Sequence, residues 1–308
     1  MKILIAYDGS RYAEAALDDL TRAGLPADVE AHILSVAEVW LPPTDGGVDA
    51  DSSDPYIQGI IDRRREQGEN LVEQNKSFAD QAAERLRGSF ADWNITASAT
   101  FGSPAWEILA KADEVQPDLI VTGSQGQSAV SRFLLGSISQ KVLAEARHSV
   151  RVARGRINID PSPIRIVVGF DGTGGARSAV DAVLKRSWPG ETEIRLISVT
   201  NPVSPTVFGR LVPSVSSAVG EMNESEVNWI NSHAQPILDE FKEAGLNCSL
   251  KVVAGSPKKV LVDEAEQWNA DAIFVGANAY GSKFERFILG SVSAAVAARA
   301  QCSVEVVR

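Results

Sequence analysis

The strongest constraint on the fold is an internal duplication. Ile3-Leu4-Ile5-Ala6-Tyr7-Asp8-Gly9-Ser10 is answered by Ile166-Val167-Val168-Gly169-Phe170-Asp171-Gly172-Thr173. Leu34-Ser35-Val36 returns as Ile197-Ser198-Val199, and Gly102-Ser103-Pro104 returns as Gly255-Ser256-Pro257. Of the nine residues 131–139, six recur identically in 285–293. The matches keep their order in both halves, as two copies of one domain require. A chain of 308 residues divides into two units of about 150, each large enough to bury its own core. The expected domains are residues 1–155 and 163–308. Residues 154–163, with two prolines and few apolar side chains, read as the linker. So short a linker predicts halves packed against each other.

Within the first half, residues 3–6 form a short apolar run closed by Asp8-Gly9-Ser10. Ala13, Ala16, Leu17 and Leu20 then recur at helical spacing until Gly24 and Pro26 end the pattern. A second strand is expected at 31–36, and a long amphipathic helix carries Ile57, Ile61, Leu71, Val72, Phe78, Ala82 and Leu86 on one face. A third strand at 95–100 leads to Gly102-Ser103-Pro104, where proline sits in a first helical turn and its missing N–H costs nothing. Strands at 119–121 and 150–153 flank a last helix opened by Gly136-Ser137. The second half repeats this order. Its long helix carries Trp229, Ile230, Ile237, Leu238 and Phe241 with Pro236 inside the pattern, which predicts a kink or a late start. Strands alternating with helices call for an α/β fold in which each half is a five-stranded parallel sheet covered on both faces.

Several function classes are disfavoured. A formal charge of -10 and a pI near 4.9 work against nucleic acid, whose binding is dominated by Lys and Arg neutralising phosphates. No stretch approaches the roughly 20 apolar residues of a membrane span, and Met1-Lys2 leads straight into a strand, so a cytoplasmic protein without membrane attachment is expected. Cys248 and Cys302 are too few for a disulfide framework. His32, His148 and His233 are scattered, and His148 stands where the second half has Cys302, so no metal site is expected. Asp45, Asp49, Asp51 and Asp54 crowd one loop without the alternating ligand spacing of a calcium loop, and read as an acidic loop. Arg63-Arg64-Arg65 reads as a solvated helix face.

The candidate chemistry lies at strand ends. In an open parallel sheet, ligands sit beyond the carboxyl ends of the strands where the strand order reverses. Asp8, Val36 and Gly123 each close a predicted strand and so belong to one crevice. Gly123, Gly126 and Gly136 allow close backbone approach, and Ser137 and Ser139 put N–H and hydroxyl donors at a helix start, a place suited to anionic phosphate. The alternative is that the glycines make tight turns and Ser137 caps its helix. Asp8 is placed either to accept from a ribose hydroxyl or to cap the following helix, and Asp171 repeats the choice in the second half. Arg132 and Arg286 occupy matching positions between the glycines, where they approach a phosphate or are simply solvated.

Ile-Ala-Tyr-Asp-Gly-Ser at 5–10, Gly-Ser-Pro at 102–104, and the sequence Gly123, two residues, Gly126, nine residues, Gly136-Ser137 resemble the universal stress protein family in its tandem form. The resemblance covers essentially the whole chain, and the glycine pattern is that of the nucleotide-binding branch. It implies two tandem Rossmann-like domains packed with pseudo-two-fold symmetry through their last strands, residues 150–153 against 304–307. It implies ATP as cofactor, with magnesium held by its phosphates, adenine against the backbone near Asp8 and Val36, and phosphates at Gly126, Gly136, Ser137 and Ser139. The candidate nucleotide set is then Ala6, Tyr7, Asp8, Val36, Gly123, Ser124, Gly126, Gln127, Gly136, Ser137, Ile138 and Ser139. Weaker second-half candidates are Asp171, Val199, Gly276, Gly290, Ser291 and Ser293.

The second half departs from the pattern. It reads Gly276, four residues, Gly281, eight residues, Gly290-Ser291, and alignment backwards from Gly290 puts Tyr280 where Gly126 stands. A ring there obstructs close backbone approach. The expectation is nucleotide held mainly by the first half. No Gly-Lys-Ser/Thr phosphate loop and no Ser, His and Asp set is present, so no catalytic residue is named and the enzyme question stays open, at most a slow ATPase or nucleotide-dependent transferase. The leading expectation is an ATP-binding stress or regulatory protein with an unidentified protein partner. A nucleotide-free interaction module and a homodimer remain alternatives. The loops at 40–56 and 201–217 differ most between the halves and are where specificity is expected.

Overall fold

The computed structural model describes residues 1–39, 55–126, 135–154, 163–202, 213–277 and 289–308. The four loop aspartates, Gln127, Arg132, Tyr280, Gly281 and Arg286 lie outside the described residues, as do positions 155–162 of the linker. The first half runs β1 (Lys2–Ala6), α1 (Arg11–Leu20), β2 (Glu30–Ala37), α2 (Pro55–Ser89), β3 (Asn94–Phe101), α3 (Pro104–Val115), β4 (Leu119–Gly123), α4 (Ser137–Glu145) and β5 (Ser149–Ala153). The second repeats it as β6 (Arg165–Gly169), α5 (Gly174–Leu184), β7 (Glu193–Thr200), α6 (Pro213–Glu243), β8 (Asn247–Ala254), α7 (Pro257–Gln267), β9 (Ala272–Gly276), α8 (Ser291–Arg299) and β10 (Ser303–Val307).

Each half is a five-stranded parallel sheet, ordered β3-β2-β1-β4-β5 in the first and β8-β7-β6-β9-β10 in the second. The two are joined where β5 pairs antiparallel with β10, giving one ten-stranded mixed sheet. The strand order reverses between β1 and β4, and again between β6 and β9, so each half has one crevice at its switch point. α6 runs unbroken from Pro213 through Pro236 to Glu243, so the late start predicted from that proline is not what forms.

The seam has two unlike faces because side chains alternate along a strand. Val150, Val152, Val304 and Val306 point into an apolar cluster that continues through α3, α4, α7 and α8 of both halves. On the opposite face Arg151 stands directly across from Glu305. Arg151 is fully buried and donates to both carboxylate oxygens of Asp19 from α1, at 2.6 and 3.1 Å, and to Glu305 at 3.3 Å. Arg186, just beyond α5, donates to the other Glu305 oxygen at 2.5 Å and to the Ala23 carbonyl. Burial opposes the charge on Arg151, but Asp19 and Glu305 outweigh it and hold the guanidinium above its ordinary pKa. A buried pair of this kind adds little over an apolar pair, yet removing one partner is costly.

Candidate functional site

The first crevice is a cavity of about 500 Å³ between the ends of β1, β2 and β4, the start of α4, and the flank of α2. Ala6, Tyr7 and Asp8 come from the end of β1, Val36 from β2, Gly123 from the end of β4, Gly126 from the turn that follows, and Gly136, Ser137, Ile138 and Ser139 from the start of α4. Ser124 is brought close but lies behind the wall, where its carbonyl accepts from the Gly136 N–H at 2.8 Å. The sequence did not point to Leu71, Gln74, Asn75 and Phe78 of α2, which wall one side, nor to Thr122 and Gln125.

Local chemistry resolves the open alternatives at the turn after β1. Ser10 is the cap of α1, its Oγ accepting from the Ala13 N–H at 3.1 Å, while Asp8 Oδ1 accepts from the Ser10 N–H at 3.0 Å. Asp8 thus shapes the turn rather than capping the helix, and its other oxygen lies 3.0 Å from where a Cβ on Gly126 would stand. The second half repeats the device, Thr173 capping α5 and Asp171 accepting from the Thr173 N–H and hydroxyl. Between these residues Gly9 and Gly172 hold left-handed φ values of 71° and 77°, which side-chain-bearing residues rarely adopt.

The three glycines of the motif do different work. A Cβ on Gly123 would lie 2.9 Å from the Tyr12 carbonyl, so this glycine is required by the packing of β4 on α1. A Cβ on Gly136 would meet the Gln125 backbone at 3.2 Å, closing the loop onto itself. Gly126 is the one that clears space beside the Asp8 carboxylate.

At the head of α4, Gly136 is the cap residue and no side-chain cap hydrogen bond is made among the described residues, so Ser137 does not cap the helix. The first backbone N–H groups of a helix have no intrahelical partner, and here they border the cavity together with the positive end of the helix dipole. The Ser139 hydroxyl is used structurally, donating to the Gly123 carbonyl at 2.7 Å. Among the described lining residues there is no lysine or arginine. Tyr7 donates its hydroxyl to Glu14, and burial raises its pKa, so it remains a neutral phenol. Thr122 is 2% exposed and its Oγ1 has no hydrogen-bond partner among the described residues.

The second crevice, at the ends of β6, β7 and β9, encloses about 160 Å³. Asp171, Val199, Gly276, Gly290, Ser291 and Ser293 all line it, so these candidates are also brought together. None of its described lining residues comes from α6. The buried positions Ala79, Ala82 and Leu86 of α2 correspond in spacing to Ala234, Ile237 and Phe241 of α6. That match sets Gln74 against Trp229, Asn75 against Ile230 and Phe78 against His233. Trp229 stacks on His233 at 4.0 Å and lies so close on the turn that a Cβ on Gly172 would be 2.2 Å from its ring. In the first half Asn75 instead accepts from the Ser35 hydroxyl at 2.8 Å and keeps the wall polar.

Among the described residues no group of three or more His, Cys, Asp or Glu could hold a metal ion, and no helix is long and apolar enough to cross a membrane. The model of the universal stress protein family matches the chain twice, over residues 1–154 and 164–308. The chain belongs to the universal stress protein family. A universal stress protein of Thermus aquaticus is 32% identical over 154 residues, which is 49% of this chain and 97% of that relative. One from Bacillus subtilis is 30% identical over 143 residues, covering 46% of this chain and 90% of the relative. The crystal structure of a universal stress protein from Archaeoglobus fulgidus aligns with a TM-score of 0.58 at 22% identity, covering all of this chain and 96% of that one, and so shares the tandem fold.

Proposed function

We propose that the first crevice binds ATP and that the protein is a nucleotide-dependent stress-response or regulatory protein of the cytoplasm, read out by a protein partner. The observation that carries this reading is the convergence, in one cavity of about 500 Å³, of the N-terminus of α4, the Asp8 carboxylate beside Gly126, and the Thr122 hydroxyl, the helix end without a side-chain cap and the hydroxyl without a partner among the described residues. A volume in this range suits a nucleotide-sized ligand. In this reading the α4 N–H groups at Ser137, Ile138 and Ser139 meet the phosphates, with Gly126 and Gly136 permitting the approach. Asp8 accepts from a ribose hydroxyl, and Ala6, Val36 and Ile108 pack on the base. Magnesium, where present, is held by the phosphates themselves. Residues 1–155 then form the nucleotide-holding domain and 163–308 a domain with an altered, smaller crevice.

The regulatory step is selection of one loop arrangement by the bound phosphates, limited by their differential affinity for the two arrangements. The test is the identity and stoichiometry of nucleotide released when freshly purified protein is denatured. About one adenine nucleotide per chain is expected, lost in Gly136→Val, whose branched side chain would press on the Gln125 backbone 3.2 Å away. No nucleotide, and no binding on adding ATP, would overturn the reading in favour of a nucleotide-free module.

A further inference from the structure

The two halves hold the ends of each other's last helices. Arg308, directly after β10, donates from Nη2 to the Leu143 carbonyl at 2.6 Å and from Nη1 to the His148 carbonyl at 3.1 Å. Its backbone N–H donates to Ser149 Oγ at 3.1 Å. Arg154, directly after β5, returns the arrangement: its Nη2 donates to the Ala297 carbonyl at 2.7 Å and its backbone N–H to Ser303 Oγ at 2.8 Å. Leu143 and Ala297 lie in the last turns of α4 and α8, where carbonyls lack intrahelical partners and a cation is favourably placed. The last turn of α4 contains no basic residue of its own, whereas that of α8 contains Arg299.

These are the same two helices whose opposite ends open on the crevices, α4 at Gly136-Ser137 and α8 at Gly290-Ser291. A helix of nine residues is a rod about 13 Å long. α4 is held near its start by Ser139 on the Gly123 carbonyl and along its length by Val142 and Leu143 in the core, while the grip of Arg308 on its far end comes from the other half of the chain.

We propose that Arg308 is a positioning residue for the first crevice, through which the second half sets the seat of the helix whose N-terminus receives the phosphates. The proposal rests on the reading of the first crevice as a nucleotide site. It gives the second half a role that its small cavity does not supply: it is the fixed partner against which the first site is built. By linkage the effect is reciprocal, so a ligand on α4 tightens the seam at Arg308.

The experiment is calorimetric titration of ATP into the full chain and into Arg308→Gln, Arg308→Lys and Arg154→Gln, at a temperature where thermal melts show each folded. Arg308→Gln is expected to weaken ATP about ten-fold, within the range usual for coupled sites. Arg308→Lys is expected to recover part of the loss, because it restores the cation but not the two-carbonyl fork. Arg154→Gln cuts the matching grip on α8 and is expected to leave ATP affinity unchanged. This contrast separates positioning from general weakening of the seam. Unchanged affinity in Arg308→Gln, or equal losses in the Arg308 and Arg154 variants, would overturn the proposal. Should Arg308→Gln not fold, Arg308→Lys carries the same decision, and wild-type affinity there overturns it. A wild-type chain with no affinity for ATP would instead overturn the reading of the crevice, and the proposal with it.

Discussion

The first crevice encloses about 500 Å³ and the second about 160 Å³, although both lie at the same switch point of the same strand order. Their floors are nearly interchangeable. Gly136 and Gly290 each cap a nine-residue helix without side-chain help, and Ser139 and Ser293 each donate to a carbonyl of the preceding turn or strand. The walls differ. α2 offers Gln74, Asn75 and Phe78 to the first cavity, whereas α6 places Trp229, Ile230 and His233 at the matching positions and lays an indole over the Asp171-Gly172 turn. In this duplicated domain the backbone cradle was kept while a helix distant in sequence changed the space in front of it. The seam diverged as well: positions that face each other across the pseudo-two-fold carry Arg151 in one half and Glu305 in the other.

The largest expected effect comes from erasing that difference at the seam. In Glu305→Arg the fully buried Arg151 would face a second guanidinium, with Arg186 beside it and Asp19 the remaining carboxylate of the group. Leaving buried charges uncompensated costs about 3–5 kcal/mol, read as a fall in unfolding free energy in denaturant. Glu305→Gln, which keeps a hydrogen-bonding acceptor, should lose less. A Glu305→Arg chain as stable as wild type would mean that the charge difference between the halves is incidental to their pairing.

The next effect sharpens the comparison of the crevices. Carrying the first wall into the second half, as Trp229→Gln with Ile230→Asn and His233→Phe, lifts the indole from Gly172 and places an amide where the first half has Asn75. Uptake of a second ATP per chain is expected, with affinity gained by at least about 30-fold, roughly 2 kcal/mol. If the stoichiometry stays at one, the lengthened loop between Gly276 and Gly290, rather than the helix, decides what the second crevice holds.

Much of this arrangement was legible in the sequence because it rests on local patterns. The duplication and the alternation of strands and helices follow from repeated motifs and from apolar runs of fixed length, the strand ends that meet in the crevice follow from the topology, and the pairing of the two last strands was implied only by the family resemblance. The walls were not legible in the same way. That Phe78 belongs to a helix face is plain from periodicity, but that Gln74 and Asn75 reach the crevice depends on how a helix of 35 residues crosses the sheet. Likewise Gly123 looks like part of a ligand loop until its contact with the Tyr12 carbonyl shows that packing demands it. The cross-half grips of Arg308 and Arg154 join residues far apart in sequence, and no local spacing announces them.

The smallest effect isolates one atom of the comparison. In the strand that floors each crevice, Thr122 stands directly before Gly123 and Val275 directly before Gly276, so the halves differ here by a hydroxyl in place of a methyl. The Thr122 hydroxyl is buried and without a partner among the described residues, a state that costs a folded protein on the order of 1–3 kcal/mol unless a ligand completes the bond. Thr122→Val gives the first crevice the second one's residue at nearly constant shape. Two changes of opposite sign are expected: the ligand-free chain melts at the same or a higher temperature, while ATP binds about five-fold more weakly, roughly 1 kcal/mol. A melting temperature that falls would show that the hydroxyl is satisfied within the protein. Unchanged affinity alongside a higher melting temperature would remove Thr122 from the ligand contacts and leave the long-helix wall as the difference that separates the two crevices.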